Sequence, residues 1–150
     1  MIWLLRHGDA ADGSPDAERP LTDTGRSQAQ QAGQALAVLG VEVDACLTSP
    51  RVRAADTARI ACEALDGVIP EVEEALSGGP IDPRELSTGR GDEVLLVGHD
   101  PDLSTAVHDM TGAQVRLPKG ALAGIEKGEL KVLLRPAELG AIARAAPAGE

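Results

Sequence analysis

Aromatic side chains are almost missing from this sequence: Phe and Tyr do not occur, and Trp3 is the one aromatic residue in 150. Proteins that bind single-stranded nucleic acid stack the bases on aromatic side chains, so the composition argues against that class. Leu, Val, Ile and Ala must fill the interior instead. At this length we expect one domain, spanning 1–150, that is large enough to bury a hydrophobic core.

Basic residues are also in short supply. The chain has 14 Lys and Arg against 24 Asp and Glu, which gives a formal net charge of −10. Nucleic acids and anionic membranes bind to broad positive surfaces, so we predict neither as a partner. The bases are mainly arginines, because lysine occurs only late in the chain, at Lys119, Lys127 and Lys131. Arginines gathered at strand ends of an acidic protein indicate a local site for an anion.

Cysteine is rare and long apolar runs are absent. Cys46 and Cys62 form neither a C-x-x-C motif nor a zinc pattern, and we interpret both as small buried hydrophobic residues in a reducing compartment. Only four apolar residues separate Met1 from Arg6, which is too few for the core of a signal peptide. No run is long enough to span a membrane, so we predict a cytoplasmic protein.

Three short apolar runs do occur, and each is followed by residues that suit an anion. In chain order, these residues are Arg6-His7-Gly8 after 2–5, Ser49-Pro50 with Arg51 and Arg53 after the run that ends at Leu47-Thr48, and Gly98-His99 after 94–97. In an open α/β sheet, ligands bind outside the carboxyl ends of the strands. We therefore expect three separate segments to bring two histidines and several arginines to one site.

The spacing of apolar residues alternates between strand and helix patterns. Strands are predicted over 2–6, 43–47, 68–72, 93–97, 121–125 and 130–134, with Lys127-Gly128 as the turn of a hairpin. Helices are predicted from Thr22, the N-cap, to Gly40, over 51–65 and 82–86, from Pro101 to Gly112, and over 136–146. This order predicts a three-layer α/β/α sandwich with a mostly parallel central sheet, which ends in a C-terminal helix and tail over 136–150.

Histidines and arginines at neighbouring strand ends point to phosphoryl chemistry without a metal. Histidine can act as a nucleophile or carry a proton, and the planar guanidinium of arginine holds phosphate oxygens. Two histidines such as His7 and His99 could also bind a metal, but nearby guanidinium groups would repel a divalent cation. The sequence contains no H-E-x-x-H, G-x-S-x-G or Walker A motif. We therefore predict no metal and no cofactor.

The same residues also have structural interpretations. A histidine at a strand end is often packed or exposed without a chemical role. Arg19 can form a loop ion pair with Asp16 or Glu18. Arg51 and Arg53 are two positions apart at a predicted helix start and should point in different directions, so only one of them is expected to face the site.

Three motifs resemble those of the histidine phosphatase superfamily, which contains phosphoglycerate mutases and acid phosphatases. They are, in the family's order, Arg6-His7-Gly8, the S-x-x-x-R-A-x-x-T-A pattern at 49–58, and Gly98-His99. The resemblance implies a phosphoglycerate mutase-like fold and a covalent phosphohistidine intermediate on His7. It also implies that Arg53 rather than Arg51 holds the phosphate, together with Arg6 and His99.

Within the superfamily, the chain resembles the short SixA-type phosphohistidine phosphatases. The matching segments are 5–10, Arg19-Pro20-Leu21-Thr22 with Gly25, and the loop at 76–86. This resemblance implies that Arg19 helps to bind the substrate. Gly8 is assigned to substrate binding as well, because a glycine lets a ligand approach the backbone closely.

The larger relatives have a proton donor that this chain does not match. Those relatives carry a carboxylate on an inserted segment that is missing here, and the conceivable substitutes are Asp9, Glu73, Glu74, Asp82 and Asp100. An alkoxide leaving group needs a proton donor, whereas imidazole, with a pKa of about 6.5, leaves more easily.

The missing acid therefore favours hydrolysis of phosphohistidine in proteins. The predicted partner is a phosphorylated protein or a small phosphorylated molecule. Two alternatives stay open: a phosphatase or mutase that acts on small phosphate esters, and a non-catalytic module that binds phosphate or phosphoproteins.

Overall fold

Strands and helices alternate along residues 1–145, the part of the chain that the computed structural model describes. The strands are β1 (Ile2–Arg6), β2 (Ala45–Thr48), β3 (Glu71–Val72), β4 (Val94–Gly98), β5 (Leu122–Glu126) and β6 (Glu129–Leu134). The helices are α1 (Asp23–Val38), α2 (Val52–Cys62), α3 (Pro83–Ser87), α4 (Asp102–Thr111) and α5 (Pro136–Arg144), with short 3₁₀ helices at Asp16–Glu18 and Glu74–Ser77. No helix in this part of the chain is long and apolar enough to cross a membrane.

The strands form one mixed sheet in the order β3-β2-β4-β1-β5-β6. The first four strands of the chain run parallel, whereas β5 is antiparallel to both β1 and β6. The turn between β5 and β6 is at Lys127-Gly128, where both residues have positive φ angles, 51° and 73°, as two-residue hairpin turns favour. The prediction of a mostly parallel sheet that ends in a hairpin is confirmed.

Helices cover both faces of this sheet. In β1, Trp3 and Leu5 pack on the side of α1, α2 and α5, and Leu4 packs on the side of α4. Successive side chains of a strand point to opposite faces, which explains why a strand covered on both faces is apolar throughout. Cys46 and Cys62 lie in the same cluster as Trp3, and both are buried and free, as predicted. The three-layer architecture is confirmed.

Glycines bring α1 against the residues that follow β1. Thr22 is the N-cap of the helix, as predicted, and its Oγ1 accepts a hydrogen bond from Gly25 N at 3.0 Å. A Cβ on Gly25 would lie 2.0 Å from the carbonyl oxygen of Asp9, and a Cβ on Gly8 would lie 2.5 Å from the carbonyl oxygen of Gly25. Because only glycine fits at both positions, α1 packs directly against the chain next to His7.

The second helix is shorter than the predicted span 51–65. Arg51 has extended backbone angles (φ −64°, ψ 137°) and is the N-cap, so the first helical residue is Val52. The last helical residue is Cys62. Since Arg51 precedes α2, its side chain does not follow the helical spacing of Arg53.

Other boundaries also differ from the predictions. The predicted strand 68–72 is reduced to β3, and Pro101 is the residue before α4 rather than its first residue. The last helix ends at Arg144. Its predicted last residue, 146, and the predicted tail up to 150 lie outside the described residues. The extent of a single domain over 1–150 stays a prediction.

Candidate active site

The carboxyl ends of β1, β4 and β2 lie side by side, because β4 is between the other two strands. His7 N donates to Gly98 O at 3.1 Å, and Ser49 N donates to Val97 O at 3.0 Å, which places the residue after each strand at the same edge of the sheet. The ring centroids of His7 and His99 are 5.2 Å apart. The three segments therefore meet at one site, as predicted.

His7 is buried and has one fixed tautomer. The residue is 6% exposed, and its Nδ1 lies 2.7 Å from the carbonyl oxygen of Gly8. Because a carbonyl only accepts hydrogen bonds, Nδ1 carries the proton and Nε2 keeps its lone pair. Burial lowers the pKa of His7 to about 4; the Gly8 bond opposes this shift, and the charges of Arg53, Arg6 and Lys119 add to it. His7 is therefore neutral at pH 7, as a nucleophile must be.

His99 is also buried, and one of its ring nitrogens has a protein partner. Nε2 lies 2.7 Å from Oγ of Ser49, which is fully buried. Nδ1 is buried and has no hydrogen-bond partner within residues 1–145. Burial, followed by the electrostatic effects of His7, Arg53 and Arg51, lowers the pKa of His99 to about 3. The site thus contains two neutral imidazoles.

The guanidinium group of Arg6 is held by the loop that precedes β5. Its Nη1 donates to Leu117 O at 2.9 Å. Leu117 N donates to Ser104 Oγ at 3.0 Å, and this hydroxyl donates to Asp100 Oδ2 at 2.6 Å. Nε of Arg6 is buried and has no acceptor in the described part of the chain. This arginine therefore keeps a buried N–H donor free beside His7.

Three arginines converge on Asp16, which lies in the first 3₁₀ helix. Arg53 donates through Nη1 to the backbone carbonyl of Asp16 at 2.9 Å and through Nη2 to the carboxylate at 3.2 Å. Arg19 donates to the same carboxylate at 3.1 Å, and Arg51 forms a third ion pair with it. The hydrogen bond from Arg19, followed by the contacts of Arg53 and Arg51, holds the pKa of Asp16 below its usual value. The carboxylate engages guanidinium groups in the way that a phosphate does.

The expectation that Arg51 and Arg53 point in different directions is wrong, whereas the assignment of Arg53 alone to the phosphate stays a prediction. Both side chains reach Asp16, because Arg51 lies before α2 in an extended conformation. The two side chains differ in burial: that of Arg53 is 9% exposed and that of Arg51 is 33% exposed. Arg51 also donates through Nε to Ser77 O at 2.7 Å. Arg19 forms an ion pair with Asp16, one of the two loop partners expected for it if its role is structural.

Thr57 ties α2 to the residue after His7. Its Oγ1 accepts a hydrogen bond from Gly8 N at 3.1 Å and donates to Arg53 O at 2.7 Å, and the residue is fully buried. Gly8 thus uses its N–H within the protein, and its lack of a Cβ permits the contact with Gly25. These contacts give Gly8 a packing role, and its part in substrate binding stays a prediction.

Lys119 is a further cation near His7, and the sequence patterns did not single it out. Its Nζ lies 3.4 Å from Asp9 Oδ1. Asp9 also accepts a hydrogen bond from Thr22 Oγ1 at 2.8 Å. This bond, followed by the contact with Lys119, holds the pKa of Asp9 below its usual value. A lone lysine 110 positions away from Asp9 carries no signal in the sequence that links the two.

The other carboxylates considered as proton donors lie in helix caps and exposed turns. Asp100 accepts hydrogen bonds from the backbone N–H and the hydroxyl of Ser104, at 3.0 and 2.6 Å. Asp82 is the N-cap of α3, and Glu73 is the N-cap of the second 3₁₀ helix. Glu74 is exposed in the first turn of that helix. Asp100, Asp82 and Glu73 thus accept hydrogen bonds from backbone N–H groups.

Positive charge surrounds His7. Arg53, Arg6 and Lys119 all lie close enough to lower its pKa. Within residues 1–145, no group of three or more His, Cys, Asp or Glu side chains is arranged to hold a metal ion. His108 is exposed on α4. The electrostatics of the site therefore suit an anion.

Two of the three motifs at this site lie in a segment that matches a known protein family. The sequence model of the histidine phosphatase superfamily (branch 1) matches residues 2–78, which include His7 and Arg53. The chain belongs to the histidine phosphatase superfamily. An uncharacterized protein of Picosynechococcus sp. is 32% identical to it over 144 residues, which cover 87% of each chain.

Some relatives share only part of the chain. The mitochondrial serine/threonine-protein phosphatase Pgam5 of Drosophila ananassae is 48% identical over 60 residues, which are 39% of this chain and 21% of the length of that protein. This match shows a shared segment and not a shared overall organisation.

Solved structures of histidine phosphatases have the same fold. The protein histidine phosphatase SixA, complexed with tungstate, is 25% identical and superimposes with a TM-score of 0.81 over 92% of this chain and 98% of its own. The alpha-ribazole phosphatase from Shigella flexneri is 21% identical and has a TM-score of 0.67 over 90% of this chain and 96% of its own. The phosphoglycerate mutase-like fold of this superfamily member is therefore confirmed.

Proposed function

We propose that this protein hydrolyses phosphohistidine in proteins through a covalent phosphohistidine intermediate on His7. The observation that carries the proposal is the state of that side chain. His7 is neutral, its Nδ1–H is held by the Gly8 carbonyl, and its Nε2 lone pair lies among positive charges. The similarity to the protein histidine phosphatase SixA over nearly the whole chain supports this substrate class.

In the first step, Nε2 of His7 attacks phosphorus while the N–P bond of the substrate breaks. The substrate ring, which carries a proton on its other nitrogen, leaves as neutral imidazole with the electron pair of that bond. The Gly8 carbonyl accepts a stronger hydrogen bond from the His7 ring, which gains positive charge. One N–P bond replaces another, so the transfer is close to balance. Water then attacks the phosphorus of phosphorylated His7, the electron pair returns to Nε2, and both water hydrogens leave on dihydrogen phosphate.

Arginines supply the charge stabilisation for both steps. We assign the phosphoryl oxygens to Arg6, Arg53 and His99, with Arg19 at the edge of the site. Charge-assisted hydrogen bonds of this kind contribute about 1.5–3 kcal/mol each, and preorganised donors act most strongly on charge that develops in the transition state. The carboxylate of Asp16 marks a point where two of these guanidinium groups already meet around an anion.

The carboxylates nearest to the histidines support a leaving group that needs no acid. Thr22 and Lys119 lower the pKa of Asp9, and the three arginines lower the pKa of Asp16. A general acid at neutral pH requires the opposite shift. A phosphohistidine ring that is already protonated on its far nitrogen departs as imidazole without such a donor, whereas the alkoxide of a sugar phosphate does not.

We also propose that the reaction needs no metal, because guanidinium groups provide the neutralising charge. A phosphatase for small phosphate esters is the second candidate, and the fold shared with the alpha-ribazole phosphatase supports it. A phosphate-binding module without turnover is the third, and a measurable rate with any phosphorylated substrate separates it from the other two.

Labelling of the intermediate tests the nucleophile. Brief mixing with a phosphohistidine peptide that carries ³²P should yield an acid-labile, base-stable phosphoenzyme. His7→Gln should lose both label and turnover, and the matched variant His108→Gln, at the exposed histidine of α4, should retain both. Full turnover by a folded His7→Gln protein would exclude the covalent mechanism.

A substrate panel tests the leaving group. The measured quantity is kcat/KM for a phosphohistidine peptide, a phosphoserine peptide and 3-phosphoglycerate under one set of conditions, and we expect the phosphohistidine peptide to be preferred. An activated ester such as p-nitrophenyl phosphate does not discriminate, because its leaving group also needs little acid. Preference for 3-phosphoglycerate would assign the protein to the ester phosphatases and would require a carboxylic acid in the site.

A further inference from the structure

The hydroxyl of Ser49 lies between a ring nitrogen of His99 and a backbone N–H. Its Oγ is 2.7 Å from His99 Nε2 and accepts a hydrogen bond from Arg51 N at 3.2 Å. Ser49 is 0% exposed, so water does not compete for this hydroxyl. Fifty positions separate Ser49 from His99 in the sequence, and the contact exists only because β2 and β4 are neighbours in the sheet.

These two contacts determine the direction of the hydrogen bond between Ser49 and His99. A hydroxyl has one hydrogen to donate, and within residues 1–145 the ring nitrogen Nε2 is the acceptor that lies within reach of it. A proton on Nε2 would leave the buried hydroxyl hydrogen without a partner, which is unfavourable. Ser49 therefore donates to Nε2. Since the ring is neutral, its single proton is on Nδ1.

We propose that Ser49 is a positioning residue that fixes His99 as the Nδ1–H tautomer, so that His99 offers a donor rather than a lone pair to the phosphoryl oxygens. The proposal rests on the proposed function. Nδ1 is the buried ring nitrogen without a partner in the described residues, and its ring is 5.2 Å from that of His7, centroid to centroid. A lone pair at this position would repel a phosphoryl oxygen, whereas an N–H binds it.

The two histidines then have the same tautomer and opposite tasks. In His7, a carbonyl accepts the hydrogen bond of Nδ1–H, and the other ring nitrogen, Nε2, has the lone pair that attacks phosphorus. In His99, a hydroxyl donates a hydrogen bond to Nε2, and the other ring nitrogen, Nδ1, carries the proton. The chemical type of the partner, carbonyl or hydroxyl, decides which histidine is the nucleophile and which is the hydrogen-bond donor.

Nitrogen-15 NMR of the histidine rings tests the tautomer without any use of activity. In the wild-type protein at pH 7, two-bond ¹H–¹⁵N spectra should show a protonated Nδ1 and a bare Nε2 for His99, assigned by the resonances lost in His99→Gln. Inorganic phosphate should shift Nδ1 more than Nε2. Ser49→Ala should shift the ring toward the Nε2–H form, and Ser49→Thr, which keeps the hydroxyl, should restore the wild-type pattern.

The matched control is Thr48→Val at the preceding residue. Thr48 is also buried, but its hydroxyl donates to the backbone carbonyl of Ser49 at 3.1 Å, and within residues 1–145 it forms no hydrogen bond with a histidine. This variant should leave the tautomer of His99 unchanged, although it too removes a buried hydrogen bond. A shift of the His99 nitrogens in Thr48→Val as large as in Ser49→Ala would show that general loosening of β2, and not the Ser49 hydroxyl, sets the tautomer.

Kinetics with the phosphohistidine peptide provide the second readout. Ser49→Ala should lower kcat by about ten- to a hundred-fold, by analogy with the loss of hydrogen-bond partners that orient metal-ligating histidines, with a smaller change in KM. A bare Nδ1 in wild-type His99, or an Nδ1–H that persists in folded Ser49→Ala, would overturn the proposal. If the wild-type protein fails to turn over phosphohistidine, the proposed function fails, and the tautomer experiment still decides the role of Ser49.

Discussion

The free energy of unfolding of this protein should fall more steeply with decreasing pH than that of a variant without His7. The pKa of His7 is lowered from 6.5 to about 4, first of all by burial. Between these two values the unfolded chain binds a proton at this position and the folded chain does not. Stability that is fully present above pH 6.5 is therefore lost as the pH falls through this window.

The size of the effect follows from the same pKa values. The full difference between 6.5 and about 4 corresponds to about 3 kcal/mol. Most of it, about 2 kcal/mol, should be lost between pH 7 and pH 5. The pKa of His99 is also lowered, to about 3, so His99 reduces the stability in the same direction as the pH falls. It makes the pH profile of the wild-type protein steeper still.

Urea unfolding at a series of pH values measures this directly. Trp3 is buried in the core and is the one aromatic residue, so its fluorescence reports the transition. The quantity of interest is the free energy of unfolding of the wild-type protein minus that of His7→Gln, because the carboxylates titrate in both proteins. This difference should fall by about 2 kcal/mol from pH 7 to pH 5.

His108→Gln is the matched control, since it removes an exposed histidine of α4. Its free energy of unfolding should follow that of the wild-type protein over the whole pH range. A difference between the wild-type protein and His7→Gln that stays constant with pH would refute the argument, because it would mean that His7 is as easily protonated in the folded chain as in the unfolded one.

Four further predictions follow from contacts in the site. Arg53→Ala should lower kcat/KM by at least a hundred-fold, as for loss of a preorganised donor. Arg51→Ala should lower it by less, since the Arg51 side chain is more exposed. Equal losses would contradict the proposal that Arg53 is the phosphate ligand. Asp16→Asn should make inorganic phosphate a several-fold tighter inhibitor, because a negative charge that shares the arginines is removed; weaker inhibition would be the contrary result. Chelators should leave turnover unchanged while vanadate inhibits, and restoration of lost activity by zinc or magnesium would show that a metal takes part. Gly25→Ala should destabilise the protein by about 1–3 kcal/mol in urea unfolding, since its Cβ would lie 2.0 Å from the Asp9 carbonyl oxygen; unchanged stability would mean that α1 can move away.

The meeting of three strand ends could be predicted because it depends on burial patterns. A run that is apolar at every position, such as 2–5, fits a strand covered on both faces. In a sheet of parallel strands, the residues that follow them share an edge. His7, His99 and Arg53 were found by this reasoning together with the family motifs, and the contacts between their segments agree with it.

Side-chain partners could not be predicted in the same way. Ser49 contacts His99 across 50 positions, and Lys119 contacts Asp9 across 110 positions. Neither pair has a spacing that a helix or strand period would reveal. Asp16 was considered only as a partner of Arg19, and nothing in the sequence indicates that three arginines share it.

The error about Arg51 has a local cause. A one-residue shift in the start of α2 changes this residue from a helical position to an extended N-cap. The rule that residues two apart on a helix point in different directions then no longer applies to Arg51 and Arg53. Helix ends are thus the places where an otherwise correct secondary-structure prediction gives wrong side-chain directions.

The strand order also governs when the site can form during synthesis of the chain. β1 is translated first, yet its neighbours are β4 and β5, which end at Gly98 and Glu126. Until these segments have left the ribosome, the apolar strand that precedes His7 lacks both of its partner strands, and pairing over such long separations is slow. β1 is therefore placed late although it precedes its partners in the chain, and in the nascent protein it is an unpaired apolar strand that chaperones have reason to cover.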